Sequence, residues 1–172
     1  MSRLPPAAVF FAGALLLPLL PRRVRSAGCL VFPLLAFILL LRLEVGADLT
    51  IPFLNYELVL SRVDRLSLAF GYVFAAIAFL GGVYSYHLQD TGQQVAALLY
   101  AGSSLGVVFA GDLLTLFVFW EVMAISSVCL IWARRTSRSI KAGMRYIIVH
   151  LSGGSVLLAG ILWHLGETGS LM

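Results

Sequence analysis

Charge is what this sequence has least of. Of its 172 residues 12% are Asp, Glu, Lys or Arg, while 60% are hydrophobic. A soluble domain carries about twice that share of charge, so the composition excludes a water-soluble globular domain and puts the chain in the membrane class. The net charge of +4 comes without a basic tail and without basic residues interleaved with aromatic ones, so nucleic acid is not an expected partner. Cysteine is scarce too. Cys29 and Cys129 both lie in apolar runs, which reads as two buried thiols rather than a disulfide. No cysteine cluster is present for iron–sulfur ligation, and the chain has no Walker loop, no G-x-G-x-x-G, no H-E-x-x-H and no CxxC. No metal or cofactor is therefore expected, and redox chemistry is not expected of this chain itself.

What the sequence has in abundance is long apolar runs. A spanning helix needs about 20 mostly apolar residues, and six segments meet or approach that: about 5–20 (short for a span), 26–43, 64–86, 93–110, 112–133 and 140–165. The first resembles a signal peptide, with Arg3 ahead of an apolar core. Arg22, Arg23 and Arg25 follow that core directly and no A-x-A site stands between its end and them, so it reads as a retained membrane helix. The expected fold is therefore an all-α integral membrane protein of about six transmembrane helices. Between the second and third, "LTIPFLNYELVL" alternates and is rich in β-branched residues, which predicts a small hairpin on the membrane face. Residues 1–63 then hold two helices and this loop, and residues 64–172 hold helices three to six.

The arginines set an orientation. Arg22, Arg23 and Arg25 in the first loop, with Arg134, Arg135, Arg138, Lys141 and Arg145 around the fifth, are 8 of the 12 basic residues. With six helices both clusters fall on one side, which the positive-inside rule makes cytoplasmic. The expectation is a multi-pass plasma-membrane protein with its N-terminus and hairpin outside. "GSSLG" (Gly102, Gly106) and "SGGS" (152–155) both predict close helix packing.

One acid stands inside the apolar run "LFVFWEVMAISS". Counted from Asp112, Glu121 lies about 14 Å along its helix, near the middle of a hydrocarbon layer about 30 Å thick. A charge there is costly, and such residues usually face a bundle interior on an ion or proton pathway. Apolar surroundings favour the protonated form of a carboxyl, so such a group can exchange protons near neutral pH. The alternative is a neutral structural glutamate. His150, counted inward from Ile140, reaches about the same level on the next helix and is a candidate proton relay; the bland reading is a ring bonded to nearby backbone. Arg145, one turn from Lys141, is a candidate positive partner for Glu121, against topology and headgroup contact. Asp64 and Asp112 read as N-caps, the former with Ser67 three residues on. His87 and His164 sit at the interfaces and need no special role.

Three blocks, "VDRLSLAFGYVFAAIAFLGGVYS", "GDLLTLFVFWEVMAISSVCLIW" and "AGMRYIIVHLSGGSVLLAGI", resemble the antiporter-like proton-translocating subunits. That family takes in the large membrane-arm subunits of respiratory complex I and the D-type subunits of Mrp-type Na+/H+ antiporters. The likeness covers about residues 64–170. The block around Glu121 is the most specific, and the third block resembles the D-type antiporter subunits more closely than complex I. The resemblance implies that Glu121 matches the family's fifth-helix glutamate, a part of its proton path that pairs with a lysine on a seventh helix. Asp64 matches a recurrent aspartate at the start of the third helix, and the role of His150 does not carry over.

The family has about fourteen helices, so the resemblance implies that this chain corresponds to the N-terminal part of such a fold. Other membrane subunits are then expected as partners, including a chain supplying the missing helices, together with the lipid bilayer, protons and Na+. The function expected is that of a membrane subunit, or split N-terminal part, of a cation/proton antiporter. The rivals are a proton-pumping membrane-arm subunit of a complex I-like oxidoreductase or membrane-bound hydrogenase, and a scaffold that transports nothing.

Overall fold

The computed structural model describes residues 5–53 and 56–172. Arg3, and Leu54 and Asn55 within the expected hairpin, lie outside the described residues; so do the side chains of Arg22 and Arg23. Among the described residues there are six α-helices and one two-stranded hairpin: α1 (Pro6–Leu16, continued by a 3-10 turn over Leu17–Leu19), α2 (Arg22–Leu40), β1 (Leu49–Phe53), β2 (Tyr56–Ser61), α3 (Arg65–Tyr84), α4 (Thr91–Phe109), α5 (Leu113–Trp132) and α6 (Ser137–Thr168).

The sequence places its own helix starts. Asp64 accepts from the Ser67 amide at 2.6 Å while Ser67 Oγ accepts from the Asp64 amide, a reciprocal cap for α3. Thr136 and Ser139 repeat that device for α6. This is why α6 begins at Ser137, earlier than its apolar pattern suggests, and runs 32 residues to a left-handed cap at Gly169. At α2 the arginines are helical rather than looped, because Pro21 turns the chain just ahead of Arg22. Pro18 lies in the 3-10 turn that ends α1.

Three helices, α3, α5 and α6, are long and apolar enough to cross a membrane; the apolar parts of α1 and α2 are shorter. The six expected helices are thus present, and among the described residues three of them combine spanning length with apolar composition. α4 packs against α5, α1 and α3 and buries polar Gln94 and Ser103, so protein rather than lipid surrounds much of it. One core cluster joins α1 to α4 around Phe10, Leu17, Leu40, Leu105 and Phe109. A second sets Leu58 of the hairpin with Ile161 and Leu171.

The connections sort to two ends. At one, Asp90 before α4 pairs with Arg135 after α5 at 2.9 Å, and the Arg25 guanidinium donates to Thr91. At the other, the hairpin meets the α4–α5 link, where the Arg62 amide donates to the Phe109 carbonyl at 2.7 Å and the Gly111 amide to the Val59 carbonyl at 2.9 Å. The Leu113 amide reaches the Leu171 carbonyl at that same end. The two arginine-bearing connections therefore share an end, as the charge pattern requires.

Two readings need correction. Cys29 is buried but Cys129 is exposed on α5, and both are free; an apolar helix in lipid has no need to bury a thiol against protein. In "SGGS" only Gly154 meets a neighbour. Ser152, Gly153 and Ser155 are exposed, and the two serine hydroxyls donate to carbonyls one turn back on α6.

Candidate functional site

α5 and α6 run antiparallel from a short link, and their contacts fix the register. The Ser127 hydroxyl meets the Tyr146 hydroxyl at 2.9 Å, Trp132 lies on Gly143, and Glu121 lies on Gly154. In this register His150 sits about one turn, ~5 Å, nearer the α5–α6 link than Glu121 does. Sequence counting puts the two at one level; starting α6 at Ser137 and sliding it along α5 separates them.

Both residues face this seam and both leave a polar atom bare. Glu121 Oε1 and His150 Nε2 are buried with no hydrogen-bond partner among the described residues, and no hydrogen bond joins the two side chains. An unpartnered buried polar atom normally costs a few kcal/mol, and most such atoms in folded proteins find partners. Here two such atoms lie within about one turn of each other along one seam. The His150 ring is stacked between Trp120 at 5.6 Å and Tyr146 at 5.3 Å, ring centre to ring centre, which fixes its plane. Arg145 is exposed and forms no hydrogen bond or ion pair among the described residues, so the structure does not bring it to Glu121.

Sequence reasoning missed three participants. Trp120 and Tyr146 are ordinary aromatics until the register stacks them on His150. The Ser127–Tyr146 pair adds two hydroxyls to the same seam; spacing on two separate helices carries no signal for it. Asp112 does cap α5, accepting from the Thr115 amide at 2.7 Å, but it is also buried and accepts from the Thr115 hydroxyl at 2.8 Å and the Val59 amide at 2.6 Å. One carboxylate thus starts α5 and holds the hairpin.

A cavity of about 450 Å³ lies elsewhere, between α3 and α4 with Cys29, Pro33 and Leu130 on its wall. Its lining carries no charged side chain and includes neither Glu121 nor His150. Among the described residues no group of three or more His, Cys, Asp or Glu could hold a metal ion.

Residues 110–172, which hold α5 and α6 and so the whole seam, match the family model described as "NADH:quinone oxidoreductase/Mrp antiporter, TM". A curated relative, the A1 subunit of the Na(+)/H(+) antiporter of Staphylococcus aureus (strain bovine RF122 / ET3-1), is 33% identical over 116 residues, covering 63% of this chain and 14% of the relative. Its counterpart from strain JH9 gives the same figures. Those relatives are A-type antiporter chains, where the sequence reading leans to the D-type, and this chain spans only a small part of their length. Among solved structures, the Mrp complex from Dietzia sp. DQ12-45-1b aligns with a TM-score of 0.83 at 23% identity, over 96% of this chain and 20% of that one. An archaeal membrane-bound sulfane sulfur reductase aligns with a TM-score of 0.83 at 22% identity, over 96% and 37%. Respiratory complex I from Thermus thermophilus gives 0.75 at 22%, over 97% and 38%. All three are membrane complexes, and at these identities they speak to the fold alone. The chain is thus an integral membrane protein with the fold of these subunits, whose residues 110–172 match the antiporter-like NADH:quinone oxidoreductase/Mrp family and which shows partial homology to the A-type chains of Mrp antiporters.

Proposed function

We propose that this chain supplies the Glu121-bearing part of a multisubunit cation/proton antiporter and that Glu121 takes up and releases the transported proton. The observation that carries this reading is the bare, buried Oε1 of Glu121 at the α5–α6 seam. A structural acid would be expected to have a donor there, while a proton carrier needs an oxygen free to accept. His150, with its own bare nitrogen about one turn away, is the candidate relay, bridged to Glu121 by water rather than by direct contact. Arg145 is kept as a charge partner only in an assembly that turns it inward.

The arginine-bearing end is the cytoplasmic one in this reading, which leaves the hairpin outside and the chain as the N-terminal part of a larger fold of about fourteen helices. Other membrane subunits complete the path, one of them carrying the remaining helices, and Na+ is the exchanged cation. The likeness to the fold of a complex I chain supports a second reading, in which the same acid serves a proton pump driven by redox chemistry in other subunits.

The test uses the assembled complex in inverted vesicles. Glu121→Gln is expected to abolish Na+-induced proton movement while assembly persists, and His150→Ala to slow it. Unchanged exchange in Glu121→Gln would leave the chain as a scaffold, and proton movement that needs a reductant instead of a Na+ gradient would select the pump.

A further inference from the structure

Three large side chains of α5 lie on glycines of its neighbours: Phe119 on Gly106 of α4, Trp132 on Gly143 of α6, and Glu121 on Gly154 of α6. In the first two an aromatic ring fills the space left by the missing side chain, the usual use of small residues between membrane helices. In the third the filler is a carboxylate. The three atoms nearest a Cβ built at Gly154 all belong to Glu121: Oε1, then Cδ at 3.1 Å and Oε2 at 3.7 Å. Its neighbour Gly153 is different, since a Cβ there meets nothing within 4 Å. Space at 154 is therefore used by one carboxylate, and space at 153 by none of the described residues.

We propose that Gly154 is the positioning residue for Glu121: the absent side chain is a socket that holds the carboxylate in the α5–α6 seam, about one turn from His150. This deepens the reading of Glu121 as a proton carrier and rests on it. Any side chain at 154 occupies the place of Oε1, so the carboxylate has to rotate out of the seam. The other titratable groups on the two helices packed against this level of α5 are Tyr100 on α4 and His150 and Tyr146 on α6, with Arg145 exposed. Of these, His150 is the one that presents a bare, buried atom.

The test is the pH dependence of labelling by dicyclohexylcarbodiimide, a lipid-soluble reagent for protonated carboxyl groups. It is read by intact mass on the full chain in its complex, with Glu121→Gln as the blank. Gly153→Ala is expected to label as the unaltered chain does. Gly154→Ala is expected to move the pH midpoint by about one unit or more, the size of effect that a change of surroundings gives a carboxyl. Shortening the acid by one methylene in the double variant Glu121→Asp with Gly154→Ala is expected to bring the midpoint back. An unmoved midpoint in Gly154→Ala overturns the proposal, as does an equal movement in Gly153→Ala. If Gly154→Ala does not accumulate, the double variant decides: recovery with the original midpoint supports the socket, and no recovery overturns it. Labelling is read without transport, so a Glu121→Gln complex that still exchanges ions would sink the functional reading and leave only the socket's hold on the carboxylate, which the midpoints test separately.

Discussion

At the scale of single residues, three acids of this chain stand in three different surroundings. Asp64 is exposed, and its carboxyl is held below its ordinary value of 3.8, first by the Ser67 amide. A carboxyl lowered in the fold stabilises above its unfolded value and loses that contribution as pH falls through the folded one. The helix-start contribution of Asp64 is thus complete at neutral pH and fades in acid below 3.8. Thermal unfolding of Asp64→Ala against the unaltered chain is expected to show a deficit at pH 7 that closes toward pH 3. Asp112 is buried with three donors, and its removal strands the Val59 and Thr115 amides. Glu121 has space instead of donors. The sequence spelled out Asp64, because a cap and its partner lie three residues apart on one chain. It showed only half of Asp112, because the Val59 contact bridges 53 residues.

At the scale of elements, the helices were legible and their contacts were not. Apolar length and capping pairs are local properties, so six helices and the hairpin could be read directly. Which face of a helix meets which neighbour depends on register and rotation, and these are decided by packing. "GSSLG" illustrates this: a Cβ at Gly102 would meet Phe10 Cβ of α1 at 2.7 Å, while Gly106 lies under Phe119 of α5. Two glycines read as one packing stripe thus serve two different helices. Gly106→Leu forces Phe119 aside and is expected to destabilise by about 1–3 kcal/mol, the usual cost of overfilling a packed site. Gly81, where a Cβ meets nothing within 4 Å, is expected to gain up to about 1 kcal/mol as Ala, through the better helix propensity of alanine. Denaturant titration of the two variants in detergent micelles checks both signs.

At the scale of the whole molecule, the two ends are held by different chemistry. The Asp90–Arg135 end relies on an ion pair whose arginine is 79% exposed, an interaction worth about 0–1 kcal/mol. If that end faces the cytoplasm, a cysteine at position 90 is expected to react with a membrane-impermeant maleimide only in inverted vesicles. A cysteine at position 47, on the hairpin side, should react only from outside. Both are read in a background with Cys29 and Cys129 replaced by serine, and the reverse pattern would invert the orientation.

The opposite end is fastened by backbone. Asp112 and the Phe109–Gly111 link tie the hairpin to α4 and α5 through hydrogen bonds that water and salt screen poorly. The α5–α6 seam is pinned at both ends, by the short link that carries Arg135 and by the Leu113–Leu171 hydrogen bond, so its register outlasts the loss of the exposed ion pair.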